Sequence, residues 1–186
     1  MEIKSLIVFI GICFFLTLEF LFPKEKIYFQ NKISRISKNI FFWLVNIGIT
    51  PIIILPISIF ATQFELHSLF KFNNSIMNFL FHLIIIDLFL YWWHRFNHQI
   101  PFLWNFHHVH HLDETLDISS GVRFHFGEVI LSALIRSIII ITFNISLINF
   151  LLIEAIILLS SIFHHSNISI PKKIENILSK IIVTPS

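Results

Sequence analysis

Charge is scarce in this chain. Of its 186 residues only 13% are Asp, Glu, Lys or Arg, 55% are hydrophobic, and the mean hydropathy is +0.80. A soluble domain carries about a quarter charged residues, so the composition excludes an ordinary soluble fold and describes a bilayer protein. Cysteine is scarcer still. The single thiol, Cys13, lies in an apolar run, which rules out a disulfide framework and leaves it as filler in a helix. The net charge of +2 is small and the basic residues are grouped in loops, so nucleic acid is excluded as a partner. Internal repeats, low-complexity tracts and an appended soluble domain are missing, and the length suits one domain.

Long apolar runs take their place. Residues 5–22, ended by Pro23, have the length of a first spanning helix; Lys4 alone is a poor leader region and no small-residue cleavage site follows. Glu19 near its end can reach the interface and needs no functional role. Residues 23–39 hold Lys24, Lys26, Lys32, Arg35 and Lys38, a basic loop expected on the cytoplasmic side. Residues 40–62 read as the second helix, with Pro51 and Pro56 able to kink it, and 63–75 as a loop on the far side in which His67 is solvated. A third helix covers 76–93, with Trp92 and Trp93 in an interfacial belt. The apolar stretch 129–163 is too long for one crossing and predicts two helices turning near 144–149. The expectation is an all-α integral membrane protein of about four to five transmembrane or re-entrant helices. Its N-terminal membrane helices would occupy 1–75 and a second domain 76–186. Every histidine group except His67 and His82 then falls on the side of the basic loops, predicting a cytoplasmic-side histidine cluster.

Seven of the 11 histidines lie between Asp87 and Glu128. His94 and His98 are four apart, a spacing that puts both on one helical face. His107 and His111 repeat it, with His110 at the adjoining position. Imidazole is the commonest metal-binding side chain and is available neutral near pH 7. One pair arises readily by chance, and a surface cluster can be a pH-sensing patch; two pairs with a further site after them favour metal. Asp87, Tyr91, His94 and His98 follow i, i+4, i+7, i+11. Asp87 therefore either accepts a hydrogen bond from a ligating imidazole or makes an interhelical bond to Ser, Asn or His82. A b-type haem protein would need histidines deep in two helices, where only His82 is placed. A transporter would need more ionisable groups along a path than Asp87, Arg136 and Glu154 provide. A zinc-dependent hydrolase stays open, since imidazole also suits zinc, although no nucleophile or base pairing stands out.

The runs His94-Arg-Phe-Asn-His98, Trp104-Asn-Phe-His107-His-Val-His110-His111, Arg123-Phe-His125-Phe-Gly-Glu128 and His165-Ser-Asn167 resemble the fatty acid hydroxylase/sterol desaturase superfamily over roughly 80–186. The resemblance implies metal ligands at His94, His98, His107, His110, His111, His125 and His165, supported by Asp87, Glu128 and Asn167, with His108 and His164 outside the set. It implies a di-iron centre with O₂ as co-substrate, hydroxylating or desaturating a C–H bond of a fatty acyl, sterol or related lipid. A separate electron-donor protein is implied too, since no haem or flavin motif is present. The site would sit in a bacterial inner membrane or the endoplasmic reticulum. The superfamily also has a last His-x-x-His-His box after a Thr-Pro motif, whereas this chain reads Val183-Thr184-Pro185-Ser186 and stops. A chain truncated before that box is therefore expected, and the alternative to an active oxygenase is a catalytically inactive membrane fragment that keeps metal binding.

Overall fold

The computed structural model describes residues 2–25, 29–64, 72–113 and 115–185. His67 and Lys71 lie outside them. The described residues are 78% helical, with no strand among them. Among the described residues, five helices are long and apolar enough to cross a membrane: Lys4–Leu21, Ile33–Thr62, Ser75–Gln99, Phe126–Phe143 and Leu147–His165. The chain is a multi-pass membrane protein. It divides into two compact units. One comprises Met1–Trp43, His110–Arg123 and Glu154–Ser186, the other Leu44–Val109 and Phe124–Ile153.

In the first unit, α1 (Glu2–Leu21) ends at Pro23, and an antiparallel bridge pairs Pro23 with Ile168 beyond α7 (Leu147–His165). Glu19 proves structural. Its Oε2 accepts the backbone N–H groups of Ile118 and Asn167, each at 3.0 Å. Asn167 in turn holds the chain after α1: its Oδ1 accepts from Glu25 N–H at 2.9 Å and its Nδ2 donates to the Glu25 carbonyl at 2.7 Å. Helix α2 (Phe29–Ile49) begins well before residue 40, so much of the expected basic loop is helical. The reason is that Arg35 and Asn39 find buried partners in the 113–123 segment and need not stay in water. A short helix α8 (Lys172–Leu178) follows α7.

In the second unit, a π-turn (Thr50–Ile54) carries α2 into α3 (Leu55–Thr62). Pro51 cannot donate to the preceding turn, and the Thr50 hydroxyl supplies a bond to the Asn46 carbonyl at 2.7 Å. Apolar lipid offers no alternative donor, so side-chain hydroxyls near a proline take this role. Helix α4 (Ser75–Gln99) starts where Asn74 Oδ1 accepts from the N–H groups of Ile76 (2.9 Å) and Met77 (3.1 Å). Its buried stripe is His82, Ile86, Trp93 and Asn97. Trp93 is thus turned inward and only Trp92 is exposed, because adjacent helical residues point about 100° apart and cannot share one interface. His82 Nδ1 meets Asn149 Nδ2 at 3.1 Å. Ile100 precedes Pro101 and is forced out of helical geometry, so a break separates α4 from α5 (Pro101–His107). Helix α6 (Phe126–Phe143) stops at Asn144, whose φ of 50° reverses the chain before α7, within the expected turn.

Replacing Glu19 by Ala leaves the buried N–H groups of Ile118 and Asn167 without an acceptor. The expected loss is about 2–3 kcal/mol of unfolding stability, since bonds to a charged acceptor exceed neutral ones. Denaturant unfolding in detergent measures it, and Glu19→Gln, which keeps an acceptor oxygen, should lose less.

Candidate metal centre

Helix α4 delivers His94 and His98 to one exposed face, and the Ile100–Pro101 break re-aims the chain so that α5 brings His107 back to them. The His94 and His98 Nε2 atoms lie 3.1 Å apart. The His107 ring is 4.7 Å from that of His94 and 4.9 Å from that of His98, centroid to centroid. One ligand nitrogen from each of the three lies within 4.8 Å of the others. Two nitrogens bound to one ion at about 2.1 Å stand roughly 3 Å apart, so the arrangement fits a metal.

His107 is the buried member, 1% exposed, and its Nδ1 donates to Glu128 Oε1 at 2.8 Å. That fixes the proton on Nδ1 and leaves Nε2 as the coordinating nitrogen, the usual carboxylate–histidine arrangement behind a metal. Glu128 sits in the first turn of α6, where the helix dipole favours negative charge, and is 6% exposed. The same oxygen receives Asn97 Nδ2 at 3.4 Å. Sequence reasoning missed Asn97. Its signal was present as the end of the buried stripe His82–Ile86–Trp93–Asn97, one position away from the histidine face. An open groove of about 230 Å³, lined by His98, Gln99, Pro101 and Trp104, adjoins this group.

In the first unit, the rings of His110 and His165 are 4.6 Å apart, and His111 is 5.2 Å from His110. His110 Nδ1 donates to the Arg123 carbonyl at 3.1 Å and His165 Nδ1 to the Ser161 carbonyl at 2.7 Å. Both rings are oriented like His107, with Nε2 left as the coordinating nitrogen.

The remaining expected residues are placed differently. His125 caps α6: its Nδ1 accepts from Gly127 N–H at 3.1 Å and its ring stacks on Phe126. Burial lowers its pKa, with His108 acting in the same direction and Glu128 opposing, so the neutral form that the cap requires is favoured. A Cβ on Gly127 would come within 2.7 Å of the Phe106 ring, so the cap is also closely packed. Asp87 is exposed on α4 and, among the described residues, makes no bond to an imidazole; His82 pairs with Asn149. Asn167 serves the chain after α1, as described above.

Helices long enough to cross a bilayer and converging imidazoles able to hold a metal describe a membrane protein with a candidate metal site. Residues 79–186, more than half the chain, match the fatty acid hydroxylase family, and the chain belongs to that family. Comparison with curated proteins and with solved structures finds no match. Membership carries with it an oxidoreductase role on lipid.

Glu128→Ala should weaken divalent-metal binding about 10–100-fold, the usual consequence of removing the acceptor behind a ligating histidine. Titration of the detergent-solubilised chain with Fe(II) or Co(II) checks it. Glu128→Gln keeps an acceptor oxygen and should fall between.

Proposed function

We propose that this chain is a di-iron oxygenase that uses O₂ to hydroxylate, or by removing a second hydrogen desaturate, a C–H bond in the tail of a membrane lipid. The observation that carries the reading is the convergence of His94, His98 and His107 with Glu128 fixing the buried member of the three. His110 and His165, whose rings lie 4.6 Å apart, would serve as further ligands. His125 could join as a ligand through Nε2 only by giving up its bond to Gly127 N–H. Iron held at such imidazole sites would activate O₂ for attack on an unactivated C–H bond, since imidazole accommodates iron in both redox states.

The chain's own residues do the rest. Glu128 and Asn97 hold the His107 ring in one orientation, so no reorganisation accompanies loading of the site. The groove beside His98 gives a tail an approach to the three imidazoles, with the Trp104 ring 5.3 Å from that of His98 to form its wall. Leu80, Ile84 and Leu88 on α4 are exposed and apolar, a surface along which a lipid tail exchanges one apolar surrounding for another. Hydroxylation consumes O₂, two electrons and two protons to give an alcohol and water, so a separate donor protein must deliver the electrons. The histidines would face the cytoplasm, with Lys24 and Lys38 as the basic residues that favour retention on that side. A bacterial inner membrane or the endoplasmic reticulum would suit that orientation, and 76–186 would form the hydroxylase-like domain.

The purified chain, loaded with Fe(II) and supplied with a ferredoxin- or cytochrome-type reductant and membrane lipid extract, should yield lipid products carrying ¹⁸O from ¹⁸O₂. His94→Ala and His98→Ala should each abolish that label. Stoichiometric iron without any O₂-dependent lipid product would reduce the protein to a metal-binding membrane protein and overturn the oxygenase reading.

A further inference from the structure

We propose that a buried polar cluster built on α2, from Asn39 and Arg35, is a positioning device for His110, so that residues N-terminal to the family match belong to the metal-site scaffold. The inference rests on the metal reading above and extends it to a region with no histidine of its own in the site.

His110 Nδ1 donates to the backbone carbonyl of Arg123, and the place of that carbonyl is set by the Arg123 side chain. Arg123 is 5% exposed and donates from Nη1 to Asp113 Oδ1 at 2.6 Å and to Asn39 Oδ1 at 3.0 Å. Asn39 is wholly buried, and the other end of its amide donates to Asp113 Oδ2 at 2.8 Å and to Ser119 Oγ at 2.9 Å. One amide thus uses its acceptor and both donor directions to join three points of the 113–123 segment. Arg35, one turn earlier on α2, bonds Asp117 and the Thr115 carbonyl. Two guanidinium groups face two carboxylates, so the cluster is buried without net charge, which makes removal of any one member costly.

The segment needs such a device because it has little regular structure of its own. Between His110 and Arg123 the described residues form only the 3₁₀ turns His110–Leu112 and Ser120–Val122. Its far side is pressed on α7. Ser161 Oγ donates to the Gly121 carbonyl at 3.1 Å, and a Cβ on Gly121 would stand 3.0 Å from Ile162 Cα. The carbonyl of the same Ser161 accepts from His165 Nδ1. The segment therefore sets the spacing of two imidazoles at once: the Asn39 cluster anchors His110 from one side, and Ser161 anchors His165 from the other.

The test compares Asn39→Ala with Asn149→Ala, which removes a part-buried interhelical bond to His82 within the second unit. Both are made in the full chain and purified in detergent, and two quantities are read. Iron per chain should fall by about half in Asn39→Ala and stay unchanged in Asn149→Ala. In metal-free protein, diethyl pyrocarbonate should modify His110 several-fold faster in Asn39→Ala than in the unaltered chain, with the His94 rate unchanged. Arg123→Lys, which keeps a charge toward Asp113 but cannot reach two partners as the guanidinium does, should fall between. If Asn39→Ala does not fold, Ser119→Ala removes one of its bonds and carries the same comparison. Wild-type iron content together with wild-type His110 reactivity in the folded variant overturns the inference. A chain that binds no iron before any substitution overturns the oxygenase reading instead.

Discussion

A carboxylate taken out of solvent beside an imidazole, at 2.8 Å, is the interaction on which the three-histidine group depends. An isolated buried charge is strongly disfavoured, so Glu128 is tolerable only with partners, and His107 and Asn97 are those partners. The dependence runs both ways. Without the carboxylate the His107 ring has no reason to keep its proton on Nδ1, and with the proton on Nε2 instead that nitrogen has no lone pair for a metal. The first turn of α6 contributes its dipole to the same end, which explains why the acid sits near a helix start. Tautomer, orientation and burial are one decision here, made by a single oxygen.

The same constraint recurs wherever this chain buries polarity. Glu19 gathers two backbone N–H groups from segments about 100 and 150 residues further along the chain, His82 and Asn149 pair between helices, and Thr50 supplies a donor where Pro51 has none. In each case the polar group is matched inside the protein because lipid offers nothing in exchange. Buried polar residues in such a chain are therefore informative about tertiary structure to a degree that apolar ones, which face lipid and protein alike, are not.

That asymmetry decides what could be read from the sequence. The i, i+4 spacing of His94 and His98 and the helix break near Asn144 are local features, set by helical geometry and by a residue tolerant of positive φ, and they were legible. So was the family, because its histidine spacings are themselves local. The early start of α2 was not. Arg35 and Asn39 look like parts of a solvated loop until Asp117 and Asp113, more than 70 residues away, are seen to receive them. Trp93 and Asn97 were hidden for a similar reason: an i, i+4 stripe one position from the histidines reads as either face of the helix until α5 and α6 cover it. Asp87 illustrates the converse, since the stripe it shares with the histidines proved to be the exposed one.

His125 shows how tautomer chemistry separates histidines that sequence treats alike. In His107, His110 and His165 the Nδ1 atom faces an oxygen and must carry the proton, which leaves Nε2 with its lone pair. In His125 the Nδ1 atom faces an N–H and must be the acceptor, so the neutral ring carries its proton on Nε2. A histidine of the first kind binds metal without disturbing its anchor; one of the second kind must give up a helix cap worth about 1 kcal/mol. The two kinds lie 18 residues apart in one motif-rich stretch, at His107 and His125, and differ in nothing the sequence displays. The partner of Nδ1 assigns the role, and that partner is chosen by the fold.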